Sequence, residues 1–199
     1  MTLCSNRVPI PGSPSTCTLD TAIVPVPSFC LAAVFLLLLF HIKKKPSEYA
    51  IRLPYPGWLH NVYAVLVLAA FAMTILEIAR LIAQDLGVGL LPMNTIALFA
   101  VMIVIWTERR GRTRTIVSTL CAYWLLLASV ETVKVVRLNV LEQTIPNKLS
   151  SPLYPASDQL LDNVVMMVLY WLFFIFELYT SIKMPKFENK TKTFALQEF

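Results

Sequence analysis

The sequence predicts an all-α integral membrane protein, a bundle of five transmembrane helices with the N-terminus outside and the C-terminus in the cytosol. Three observations carry that expectation. Hydrophobic residues make up 57% of the 199 residues and charged residues only 15%, against roughly 45–50% and about 25% in an ordinary soluble domain. The apolar residues are gathered in five long runs. The basic residues alternate between the segments that join them. This composition excludes a soluble globular enzyme. It also argues against a nucleic-acid partner, because basic charge beside apolar runs reads first as membrane topology.

A helix needs about 20 mostly apolar residues to cross the hydrocarbon layer. The first run covers 21–42, and its centre from Leu31 to Phe40 contains no polar residue. Pro25 and Pro27 stand where a first helical turn tolerates proline, so this helix is expected to begin nearer Pro27 than Thr21. The second run covers 58–79 and the third 87–106, where Trp106 suits an interfacial anchor. The fourth, 115–136, carries Ser118, Ser129, Glu131 and Lys134, and the fifth is 162–182. Outer-membrane strands would alternate in polarity over about 10 residues. Stretches such as Leu169 to Phe176 do not alternate, so the runs are read as helices.

Lys and Arg collect on the cytosolic side of membranes. Lys43, Lys44, Lys45 and Arg52 fill the first connector, and Arg109, Arg110, Arg112 and Arg114 the third. Lys183, Lys186, Lys190 and Lys192 lie in the tail, so twelve of the 17 basic residues fall on alternating segments. These segments are expected in the cytosol, including a tail over 183–199. The first run lacks a basic leader and is followed by Lys43 to Lys45, so it is expected to stay as an anchor and not be cleaved. The sequon Asn189-Lys190-Thr191 would then be cytosolic and unglycosylated.

Residues 1–20 form a proline-rich outer tail containing Cys4 and Cys17. Oxidising surroundings permit a disulfide there, and two free thiols fit the spacing equally well. Cys30 and Cys121 stand alone within runs and are expected to be small packing residues. No cofactor or metal motif is present: His41 and His60 lack partners at ligand spacing and are expected at the membrane interface. None of the five glycines opens a P-loop, and no nucleophile motif stands out, so no catalysis is expected of these residues.

Intramembrane charges are costly and mark functional sites by default. Glu77 and Arg80 are three residues apart, as are Glu131 and Lys134, so each pair shares a helix face. Glu177 is placed to meet an arginine of the 109–114 connector. Structural pairing or snorkelling accounts for these groups. The alternative, a small homo-oligomeric transporter or channel, would use Glu77, Glu131 and Glu177 as its polar groups. The aromatic residues Tyr170, Trp171, Phe173, Phe174, Phe176 and Tyr179 surround the fifth run, which is expected to face lipid or a partner bundle.

Three stretches carry a family resemblance. Ser-Thr-Cys17-Thr-Leu-Asp-Thr-Ala-Ile-Val-Pro-Val-Pro leads into the first run. Trp106-Thr-Glu108-Arg109-Arg110-Gly-Arg-Thr-Arg-Thr precedes Ser118 and Tyr123-Trp124-Leu125-Leu126. The fifth run ends in Glu177-Leu-Tyr-Thr-Ser-Ile-Lys183-Met-Pro185. Together they resemble the N-terminal accessory transmembrane domain (TMD-zero) of the multidrug-resistance-associated, or C, branch of ABC transporters. The resemblance implies five helices, an outside N-terminus and a Cys4–Cys17 disulfide. It implies a non-catalytic role in targeting, lipid contact or docking, with the bilayer, other transporter helices or a separate ABC core as partners. Lys43, Lys44, Lys45, Arg109, Arg110, Arg112 and Arg114 are the candidate lipid or partner contacts. A plasma or vacuole-type membrane is the expected location. Family members continue into a linker, transport domains and ATPase domains, none of which lies within these 199 residues. A transporter fragment and a free-standing domain both remain open.

Overall fold

A computed structural model describes residues 26–42, 55–83, 90–108, 112–144 and 156–197. They form five helices: α1 (Val26–Ile42), α2 (Gly57–Ala83), α3 (Leu91–Thr107), α4 (Arg114–Thr144) and α5 (Ala156–Gln197). Three contain stretches long and apolar enough to cross a membrane: Gly57–Arg80, Arg114–Val140 and Leu160–Met184. The apolar helix α3 and the stretch Val26–Phe35 of α1 are shorter. At 17 residues, α3 sits at the lower end of the spanning range, which is about 17–25.

Two helices outrun the apolar segments expected for them. α4 continues to Thr144 and α5 to Gln197, through most of the tail expected over 183–199. At 1.5 Å per residue, the 42 residues of α5 reach roughly 60 Å, about twice the hydrocarbon thickness. Hydropathy reports where lipid can lie, whereas a helix ends where its hydrogen bonding stops. Pro27 lies in the first turn of α1 and Pro92 in that of α3, positions whose N–H groups have no helical partner in any case.

The helices close into a ring. In order around it stand α1, α3, α2, α5 and α4, which returns to α1; α4 and α5 form the most extensive pair. Successive helices run in opposite directions. The start of α2 meets the end of α3 where His60 contacts the Ile105 carbonyl. The starts of α1 and α3 meet at the opposite end, where the Ser28 hydroxyl donates to Asn94 Oδ1 at 2.5 Å. The interior is filled by Val67, Leu98, Val101, Leu120, Trp124 and Phe173, among others. Trp124 is the pivot: its ring packs on Phe173 at 4.7 Å and on Tyr123 at 4.9 Å between ring centres. Two of the six aromatic residues expected to surround α5, Tyr170 and Phe173, belong to this core.

Outside, the bundle presents apolar side chains. On α5, Leu161, Val165, Val168, Leu172, Ile175, Leu178 and Ile182 are exposed. Their spacing of three or four residues puts them on one helix face. Inside the apolar segments the charged residues Glu131, Lys134 and Glu177 are buried.

Candidate functional site

The inward charges form two clusters at opposite ends of the bundle. The first is built around Arg112, just before α4. Its Nη1 donates to both carboxylate oxygens of Glu177 on α5, at 2.9 and 3.0 Å. Its Nε donates to Glu108 Oε2 at 3.2 Å. One guanidinium therefore joins the end of α3, the start of α4 and α5. A planar fork with fixed donors suits this bridging, which a point-charge ammonium would match poorly. Arg112 and Glu177 have no exposed surface.

Aromatic and imidazole groups seal the cluster. The Tyr63 ring packs 4.7 Å from that of Phe176, the neighbour of Glu177, and its hydroxyl accepts from Trp124 Nε1 at 3.0 Å. The His60 ring contacts the Ile105 carbonyl through Nε2 at 3.0 Å. A carbonyl only accepts, so Nε2 carries a proton. In the neutral ring Nδ1 then accepts from the Tyr55 hydroxyl, 3.3 Å away. Tyr55 packs on Phe176 at 4.9 Å between ring centres.

The electrostatics follow from burial. Burial pushes the Glu108 carboxyl above the usual carboxylate range, although Arg112 opposes the shift. Burial likewise raises the Tyr55 phenol, again against Arg112. For Arg112 burial alone would favour the neutral form. Glu177, the two neighbouring tyrosines and Glu108 more than offset it, so the guanidinium holds its proton more tightly than usual. This cluster fixes a permanent charge. Of the three guanidinium nitrogens of Arg112, the buried Nη2 is the one without a hydrogen bond among the described residues.

The second cluster lies among α2, α4 and the start of α5. Lys134 Nζ donates to Glu77 Oε1 at 2.9 Å and stands 3.6 Å from Glu131 Oε1. Arg80 pairs with Asp162 at the start of α5. Beside Lys134 is a cavity of about 10 Å³ lined by Thr74, Glu77, Asn94, Glu131, Met166 and Tyr170, with others. That volume is close to the minimum for a single water molecule.

The expected site residues are thus distributed unevenly. Glu77 and Glu131 come together on Lys134, while Glu177 lies at the other end of the bundle on Arg112, as the connector's position suggested. Two expectations are corrected. Arg112, grouped with the lipid or partner contacts, is instead buried on two carboxylates and cannot reach a headgroup. His60, expected at the interface, is buried because it ties α2 to α3. Arg114 is exposed. Cys4, Cys17, Lys43, Lys44, Lys45, Arg109 and Arg110 lie outside the described residues. Cys30 and Cys121 are free thiols, Cys30 exposed and Cys121 partly buried. Sequence reasoning missed Glu108 and Tyr55 as cluster members. The spacing of Glu108 and Arg112 by four residues was the available signal, but it lies across a connector where helical pairing rules do not apply.

Among the described residues no three His, Cys, Asp or Glu side chains are grouped to hold a metal ion. No family model, curated protein or solved structure matches the chain.

Proposed function

We propose that the chain is a non-catalytic, multi-pass membrane module that spans the bilayer five times and serves targeting, lipid contact or docking to partner helices. It resembles in this the accessory domain of C-branch ABC transporters. One observation carries the reading. The bundle exposes an apolar exterior, including Val65, Ile96, Phe99, Leu172 and Ile175, and directs Arg112, Glu177, Glu131 and Lys134 inward. A chain dissolved in water favours the opposite arrangement, whereas lipid favours this one. The ring interior is packed, and the cavity near Lys134 has room for about one water, which suits an anchoring module better than a solute path.

In this reading the Arg112 end faces the cytosol, and partners are other transporter helices or a separate ABC core in a plasma or vacuole-type membrane. Full-length chain expressed in membranes should resist alkaline carbonate extraction. A sequon introduced near Arg7 should be glycosylated while Asn189 stays bare. Release by carbonate would overturn the membrane reading, and glycan on Asn189 the orientation. For docking, the triple substitution Arg109→Gln, Arg110→Gln and Arg114→Gln should reduce co-purification of the partner without unfolding the bundle. Unchanged co-purification and topology would remove the docking role of this connector.

A further inference from the structure

We propose that the Arg112 end of the bundle is a built surface for anionic phospholipid headgroups, made selective by the burial of its acids. The inference rests on the membrane reading above and names the lipid class that this end recognises.

Four helices contribute. Trp58 at the start of α2 is 65% exposed and Trp106 at the end of α3 is 71% exposed, and they belong to one level because His60 reaches the Ile105 carbonyl between them. Indoles of this kind settle at headgroup depth, with the ring body in the apolar zone and the N–H toward water. Arg114, which opens α4, and Lys183, near the end of the apolar stretch of α5, are exposed at the same end. Lys183 lies 5.6 Å from the ring centre of Tyr179.

The acids explain why this surface is cationic. Glu108 and Glu177 are the two acids of this end among the described side chains, and both are turned inward onto Arg112. Arg112 thereby removes two negative charges from the outer face at the cost of one positive charge. Among the described residues neither Arg114 nor Lys183 forms an ion pair. The helix ends add the same sign. α2 and α4 both begin here, neither has an acid in its first turn, and helix N-termini favour anions. Aromatic depth markers, two cations with no ion pair among the described residues and two helix N-termini with no acid in the first turn converge on a phosphate-bearing headgroup of net negative charge.

The test uses the full chain reconstituted into phosphatidylcholine vesicles containing a minor fraction of acyl-brominated phosphatidylserine, or the same fraction of brominated phosphatidylcholine. Bromine quenches nearby indoles. Brominated phosphatidylserine should quench more strongly, with local enrichment of roughly fivefold per basic residue at low ionic strength. The difference should shrink in high salt and vanish in the Trp58→Phe, Trp106→Phe double variant. It should fall in Arg114→Gln, Lys183→Gln and persist in the charge-keeping Arg114→Lys, Lys183→Arg pair. Equal quenching by the two lipids, with protein firmly incorporated, would overturn this inference and leave the membrane reading standing. A chain not retained by vesicles after alkaline washing would overturn both.

Discussion

At the Arg112 end two carboxylates share a guanidinium with no exposed surface; at the Lys134 end two carboxylates share an ammonium beside a small cavity. Each cluster holds one acid more than base, so the two pose the same electrostatic problem. The solutions differ in hardware. Arg112 sits in a connector and uses separate nitrogens for Glu108 and Glu177, with Tyr63, Tyr55 and His60 closing the surroundings. Lys134 sits within α4 and offers one nitrogen to two acids, with Glu77 partly open. Where water is excluded, the geometry must be complete, because an uncompensated buried charge is very costly. Where a water can enter, a looser arrangement suffices. The Arg112 cluster therefore reads as a lock, and the Lys134 cluster as a clasp.

The substitution that should separate them most is Arg112→Ala. It strands Glu177 and Glu108 without their cation, a change of about 3–5 kcal/mol for a buried pair. In detergent-solubilised protein it should abolish or sharply reduce the folded yield, and Glu177→Gln added to it should recover part of the loss. A near-unchanged thermal midpoint would remove the distinction between the clusters.

Lys134→Ala should have a smaller effect, about 1–3 kcal/mol, since of the two acids it leaves only Glu131 is buried and Glu77 is partly open. Lys134→Arg should be tolerated and Arg112→Lys should not, because only the second loses simultaneous bonds to two acids. Thermal unfolding of the four variants side by side tests the order.

The smallest expected effect concerns pH. The folded Glu108 carboxyl is raised by burial, so the folded state binds its proton more tightly than the unfolded chain does. Its contribution to stability is present in full below the unfolded carboxylate range and is lost as pH rises through the folded value. Glu108→Gln should flatten the stability profile over that acid interval. The amide oxygen can still accept from the Thr113 N–H, now 3.4 Å from Glu108 Oε1. A profile of unchanged slope would show that Glu108 does not set it.

Much of the helical layout was legible. All five apolar runs correspond to helices, and Glu177 was recognised as a partner for the third connector. The pairings were less legible. Spacing of three residues linked Glu131 with Lys134, which are close, but it also suggested Glu77 with Arg80. Arg80 pairs with Asp162, and Glu77 with Lys134, both across helices. Local spacing reports which side chains share a face; it carries no information on which face a neighbouring helix brings. The burial of Arg112 was invisible for a related reason. In sequence it is one of four arginines in a row of six residues, and only the arrival of α5 sets it apart.

The ring order also sets a timetable for biogenesis. α1 touches α3 and α4, both made later, and the circle closes only when α5 reaches α2 and α4. Until then Arg112 and Glu108 have emerged but Glu177 has not. In a nascent intermediate of four helices that guanidinium has Glu108 but not Glu177 to pair with. Arrival of α5 then adds Glu177, whose two carboxylate oxygens accept from Arg112 Nη1. Of the five, α5 is made last and is thus the helix that completes the lock, so a chain halted before it should be a form that quality control removes.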